Sequence, residues 1–167
     1  MIPQIKKILY CTDLSKNSSY AFLFAIDMAK KHNAKIVVIH AIDPVPSYVE
    51  LYTGLTAEKR QKQQEEMVEY LKKHLQGFCK KAEAQIGLPC SDLVSNILVS
   101  IAHPPEAILH AADEEDCDVI VLGTHGKGFL THTFLGTVSH AVLYRTRKPV
   151  FIIPLPSGKT PFDWDGI

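Results

Sequence analysis

The sequence predicts an α/β protein: a doubly wound, five-stranded parallel sheet with helices on both faces. Three observations carry this. Short apolar runs recur along the chain, stretches of helical period separate them, and turn residues mark the joins. Strands alternating with helices need crossovers, and crossovers make a parallel sheet covered on both sides.

Ile5 to Cys11 is mostly apolar and reads as the first strand. Thr12-Asp13-Leu14-Ser15 is turn and cap chemistry. The helix after it carries Ala21, Phe22, Ala25, Met28 and Ala29 on one stripe, and Asn33 suits its end. Lys35 to Ala41 is β-branched and makes the second strand. Asp43-Pro44-Val45-Pro46 breaks the pattern and opens a loop expected to last to about Thr56. From Ala57 to Ile86 a long amphipathic helix is expected, with Met67, Leu71, Leu75, Phe78, Ala82 and Ile86 sharing a face. Gly77 is a candidate bend, and Gly87 with Pro89 ends that helix. Asp92 to Val99 is the third strand by imperfect alternation. Pro104-Pro105 suits a helix start, where the first N–H groups have no partner to lose, and Ala107, Ile108, Ala111 and Ala112 form its apolar side. Asp118 to Leu122 is a buried strand leading into a glycine loop; a helix then runs to about Arg145, and Pro149 to Pro154 is the last strand. The expected organisation is one domain over 1–155 and a polar tail over 156–167, with Phe162 and Trp164 its only rings.

A chain of 167 residues is large enough for one real core, and 46% hydrophobic with 22% charged residues is ordinary for a globule. Net charge is zero, which excludes the basic footprint of a nucleic-acid binder. No segment reaches the roughly 18 apolar residues of a membrane span. The start, Met1 to Lys7, lacks a signal-peptide core, so a cytoplasmic location is expected. Cys11, Cys79, Cys90 and Cys117 show no metal or redox spacing and read as buried free thiols of a reducing compartment.

The chemistry concentrates in Gly123-Thr124-His125-Gly126-Lys127-Gly128 and Gly136-Thr137-Val138-Ser139. Glycines at a strand exit let the backbone approach a ligand closely. A helix start offers unpaired N–H groups and a positive dipole end, which favour phosphate. Hydroxyls of Thr137 and Ser139 can add bonds to the same anion. With strand order 3-2-1-4-5, the ligand crevice falls between the Cys11-Thr12-Asp13 end and the Gly123 loop, where strand order reverses.

With these motifs in place the chain resembles the universal stress protein family. Members that bind ATP carry Gly-x2-Gly-x9-Gly-(Ser/Thr), and Gly123, Gly126, Gly136 and Thr137 fit that spacing. The likeness also takes in Ile8 to Ser15, Val99 to Glu106 with its Pro-Pro, and Pro149 to Pro154. It implies an adenine-nucleotide α-hydrolase-like, Rossmann-like sandwich that binds ATP, with Mg or Mn able to arrive on the triphosphate. Thr12 and Asp13 would then meet adenine and ribose, Ala41 and Ile42 would flank the base, and Val99 to Ala102, including Ile101, would wall the pocket. Gly123, His125 and Gly126 would hold ribose and α-phosphate; Gly136, Thr137, Val138 and Ser139 would hold the outer phosphates. A homodimer through the Val150–Ile153 edge strand is also implied. His125 departs from the family pattern by replacing a common arginine or serine with a titrating group.

Other signals are set aside. His125, His132 and His140 fit no closed metal-ligand set. Ser157-Gly158-Lys159-Thr160 imitates the end of a P-loop, yet Ile153 stands where its first glycine belongs. No nucleophile–base pair stands out, since Ser139 and His140 point apart on a helix. The leading reading is a nucleotide-binding regulatory dimer. Slow ATP hydrolysis or self-phosphorylation at Thr137 or Ser139, and a nucleotide-free interaction module, are the alternatives.

Overall fold

The computed structural model of the chain describes residues 1–87, 89–124 and 135–154. The elements run β1 (Lys7–Cys11), α1 (Lys16–His32), β2 (Lys35–Ile42), α2 (Ser47–Thr53), α3 (Ala57–Ile86), β3 (Val94–Ile101), α4 (Pro104–Glu114), β4 (Val119–Gly123), α5 (Thr137–Arg145) and β5 (Val150–Ile153). All strand pairs are parallel, in the expected order β3-β2-β1-β4-β5.

The sheet has a core on each face. Ile8, Tyr10, Ile36, Val38, Val119 and Val121 pack with Phe22 and Ile26 of α1 and Leu75 and Phe78 of α3. Leu9, Val37, Ile39, Ile120 and Leu122 point the other way, onto Ala107, Ile108 and Ala111 of α4 and Val142 of α5. Alternate residues of the central strands therefore serve opposite cores, which is why those strands are apolar at nearly every position. Each such side chain contributes roughly 1.5–3 kcal/mol by leaving water.

Local chemistry sets the ends. Ser15 caps α1 by accepting from Ser18 N–H, and Asn33 closes it in the left-handed conformation at φ 51°. Lys30, Lys31 and His32 sit favourably at its negative dipole end. Thr56 caps α3, and Gly87, at φ 73°, ends it. Pro104 and Pro105 open α4 as expected. The side chain of Ile86, expected on the apolar face of α3, lies outside the described residues, as do residues 156–167 with Phe162, Trp164 and the P-loop-like segment. Among the described residues no helix is long and apolar enough to cross a membrane.

Three expectations need correction. The loop after β2 contains α2, which starts with Val49 and Glu50 N–H bonding to Pro46 O. Gly54 ends it at φ 62°, and an Arg60–Glu50 ion pair ties it to α3. It buries no residue, so no apolar period could announce it. The third strand begins at Val94 and runs to Ile101, because Cys90–Leu93 is a 3-10 turn. Finally, Cys79 and Cys90 form a disulfide with Cα atoms 5.1 Å apart. After Gly87 the chain returns along α3 and brings both sulfurs into one apolar cluster. The expectation of free thiols holds only for Cys11 and Cys117, both buried, and the inference of a reducing compartment loses the other pair. Burial raises both free thiols, Cys117 to about 11.

Candidate functional site

The carboxyl ends of β1 and β4 form the point where strand order reverses, since β1 lies between β2 and β4. Two short segments meet there.

The first is the turn from Thr12 to Ser19. Thr12 is 5% exposed. Its N–H donates to Ile39 O at 2.9 Å, and its carbonyl accepts from His40 Nδ1 at 2.9 Å. Thr12 Oγ1 accepts from Leu14 N–H and lies 3.0 Å from Ser18 Oγ. Ser18 Oγ spends its own proton on Ser15 O at 2.8 Å, so Thr12 is the donor between the two hydroxyls. Asp13 Oδ1 accepts from Ser15 N–H at 3.0 Å. These bonds hold Leu14 at φ 65°, a region a leucine enters only when its surroundings force it. Tyr10 Oη donates to Ser18 O from beneath at 2.7 Å, and burial pushes its hydroxyl above the ordinary tyrosine range.

The second segment joins the exit of β4 to α5. Ser139, 4% exposed, donates its hydroxyl to Gly123 O at 2.7 Å, and its oxygen lies 3.3 Å from Thr124 O. Gly136 N–H donates to Thr124 O at 2.6 Å. The Ser139 proton is thus committed to backbone, and what this residue offers an anion is its N–H. Thr137 is exposed, and Val138 packs on the α4–α5 core. The first turn of α5 carries no side-chain cap and no acidic residue. Gly136 has φ −67°, which any residue adopts, so conformational freedom is not its reason. It precedes the N–H groups of Thr137, Val138 and Ser139, the first three of α5. That donor set fits a phosphate.

The two segments touch through Asn17. A Cβ on Gly123 would stand 2.6 Å from Asn17 Nδ2 and 2.8 Å from Cγ. Glycine at 123 therefore makes room for a side chain of α1.

The remaining expected residues divide between the faces. His40, Ala41 and Ile42 of β2 pair with Val99, Ser100 and Ile101 of β3. Ala41 packs on the α4 side. By strand alternation Ile42, Val99 and Ile101 belong to the α1–α3 side, where Gln64 Nε2 of α3 donates to Val99 O at 3.2 Å. All four are half-buried at the carboxyl ends of their strands, beside the crevice. His125, Gly126 and His132 lie outside the described residues; His140 is exposed and stacked 6.3 Å from Tyr144. Among the described residues no cluster of His, Cys, Asp or Glu is fit to hold a metal. Nearby, His103 Nδ1 lies 3.2 Å from Asp43 Oδ1, and Glu106 pairs with Arg145, whose hydrogen bond holds that carboxyl below its usual range. His40 and Asn17 were not singled out by the sequence: the first lies within an apolar strand and the second within a serine-rich helix start.

The universal stress protein family model matches residues 4–154. A universal stress protein of Thermus aquaticus is 34% identical over 148 residues, covering 89% of this chain and 98% of that protein. Universal stress protein MJ0577 of Methanocaldococcus jannaschii is 28% identical over 158 residues, covering 89% of this chain and 94% of that protein. Its solved structure superposes with a TM-score of 0.62 at 26% identity, over 93% of this chain and all of that one. A universal stress protein solved in complex with cAMP has a TM-score of 0.56 at 20% identity, over 90% of this chain and 98% of that one.

Proposed function

The chain belongs to the universal stress protein family, and from that premise we propose that it is a cytoplasmic regulatory dimer that binds ATP in the crevice between β1 and β4. The observation that carries this is the uncapped start of α5, behind a glycine whose backbone angles any residue could adopt. The cAMP complex is too distant in sequence to lend more than its fold, and this chain's own Gly123, Gly126, Gly136 and Thr137 spacing supports the same reading. The N–H groups of Thr137, Val138 and Ser139 would face the outer phosphates, with any Mg or Mn held mainly by phosphate oxygens. The Thr12–Asp13 turn would meet ribose and base, and the ends of β2 and β3 would flank the base. ATP would supply charge and contacts that bind the native state alone and so bias its stability. Phosphoryl transfer to Ser139 has no support in its geometry, because that hydroxyl is buried and donates to Gly123 O.

The dimer reading rests on β5. It is an edge strand, and Phe151 on it is 48% exposed. Pairing with a second β5 would cover the open edge. One experiment tests both parts: thermal unfolding with ATP, AMP and GTP, run with sedimentation velocity, after any nucleotide carried through purification has been extracted and identified. ATP at about 100 times its dissociation constant adds about 2.7 kcal/mol, an upward shift of roughly 5–11 °C for a domain of this size. Equal melting in all conditions with no co-purified nucleotide refutes the ATP reading. A monomer at tens of micromolar, with or without ATP, refutes the dimer.

A further inference from the structure

The ladder between β1 and β2 ends at a defined place. Its paired register stops at Cys11 with Ile39, and Thr12 N–H donates the next bond to Ile39 O. The following group on β1 is the Thr12 carbonyl, and the His40 side chain takes it at 2.9 Å. A carbonyl only accepts, so Nδ1 carries the hydrogen whether the ring is neutral or charged. His40 is 8% exposed, its imidazole enclosed at the point where the two strands part.

We propose that His40 is a positioning residue of the nucleotide crevice: by holding the Thr12 carbonyl it fixes the peptide plane from which the Thr12–Asp13–Leu14 turn springs. This rests on the reading of the crevice as a nucleotide site. Thr12 is held on its N–H by Ile39, on its carbonyl by His40 and on its hydroxyl by Leu14 N–H and Ser18. Only the His40 bond comes from a side chain of another strand. Without it the Thr12–Asp13 peptide can rotate, and Leu14 has a route out of its left-handed conformation at φ 65°. The Asp13 carboxylate, tied to Ser15 N–H, moves with that turn. The loss falls on the ribose and base end of the crevice and leaves the start of α5 untouched.

His40→Leu, His40→Gln and His40→Asn separate this role from a merely structural one. Asparagine places its amide nitrogen the same number of bonds from Cα as Nδ1; glutamine places it one bond further. His40→Leu and His40→Gln are expected to weaken AMP and ATP alike, each by about tenfold, the worth of one buried hydrogen bond. The ATP-to-AMP affinity ratio stays at the wild-type value, and His40→Asn stays within about twofold of wild type on the same basis. In the nucleotide-free protein, amide hydrogen exchange at Leu14 and Ser15 quickens in His40→Leu and His40→Gln and stays slow in His40→Asn. Wild-type affinity and exchange in a folded His40→Leu or His40→Gln protein overturns the proposal, as does His40→Asn behaving like leucine. If His40→Leu does not fold, His40→Gln carries the comparison. If the wild type binds neither nucleotide, the reading of the crevice fails, and the exchange measurements still decide what His40 does to the turn.

Discussion

Reducing the Cys79–Cys90 disulfide should lower stability by an amount that follows from its position. The two residues are 11 apart in sequence, and closing so short a loop in the unfolded chain is worth about 2.8 kcal/mol in the chain-entropy treatment. For a domain of this size each kcal/mol moves Tm by roughly 2–4 °C, so the reduced protein should melt roughly 6–11 °C below the oxidised one on the same basis. Cys79 is 3% exposed and Cys90 is fully buried, so reduction belongs in the unfolded state, followed by refolding with dithiothreitol present. The dithiol gives two electrons and two protons to the disulfide and closes to its own cyclic disulfide. Circular dichroism melts of air-oxidised and reduced protein give the shift. Thiol titration in guanidinium gives the count, which should be two before reduction, for Cys11 and Cys117, and four after. A double variant, Cys79→Ala with Cys90→Ala, should melt no higher than the reduced protein and ignore reductant. Four thiols in air-oxidised protein, or a Tm that does not respond to reductant, would refute the reasoning.

Two further outcomes follow from packing and burial. Gly123→Ala forces its new Cβ onto Asn17, 2.6 Å from Nδ2, and should cost about 1–3 kcal/mol; in a double-mutant cycle with Asn17→Ala, urea unfolding should show the two changes coupled, and simple additivity would mean that the loop absorbs the methyl. The Cys117 thiol is raised by burial from 9.0 to about 11, so across that window the unfolded chain binds fewer protons than the native one. The stability this represents is full below pH 9 and is lost as pH rises through 11. Urea midpoints from pH 8 to 10.5 should therefore fall more steeply in wild type than in Cys117→Ala, and parallel profiles would count against it.

The fold was legible because its determinants are local or periodic. Lys35 to Ala41 reads as a strand by its β-branched run, within one residue of β2, Asn33 and Gly87 end helices by the left-handed conformation they tolerate, and Pro104-Pro105 starts one where missing N–H groups cost nothing. What escaped has no such period. Helix α2 leaves Tyr48, Leu51 and Tyr52 66–90% exposed, so an apolar pattern there reports no buried face. The disulfide joins residues that only the reversal at Gly87 brings together.

The site divides along the same line, and the division changes what its glycines mean. Reading Gly123 and Gly136 as equivalent members of one phosphate cradle is natural from spacing alone. In three dimensions their settings differ: at 123 the space a Cβ would need is filled by Asn17, and at 136 the backbone angles are ones any residue adopts. Ser139 follows suit. Its place in the first turn sends its N–H outward toward any anion, while its hydroxyl turns back to hold Gly123 O. One residue thus both offers a backbone donor and holds the exit of β4. A motif records which residues recur at such a place; the direction of each bond decides whether a residue touches the ligand or holds the one that does. His40, absent from the motif, would fall in the second group if the proposed crevice binds nucleotide, because its bond runs to the Thr12 carbonyl.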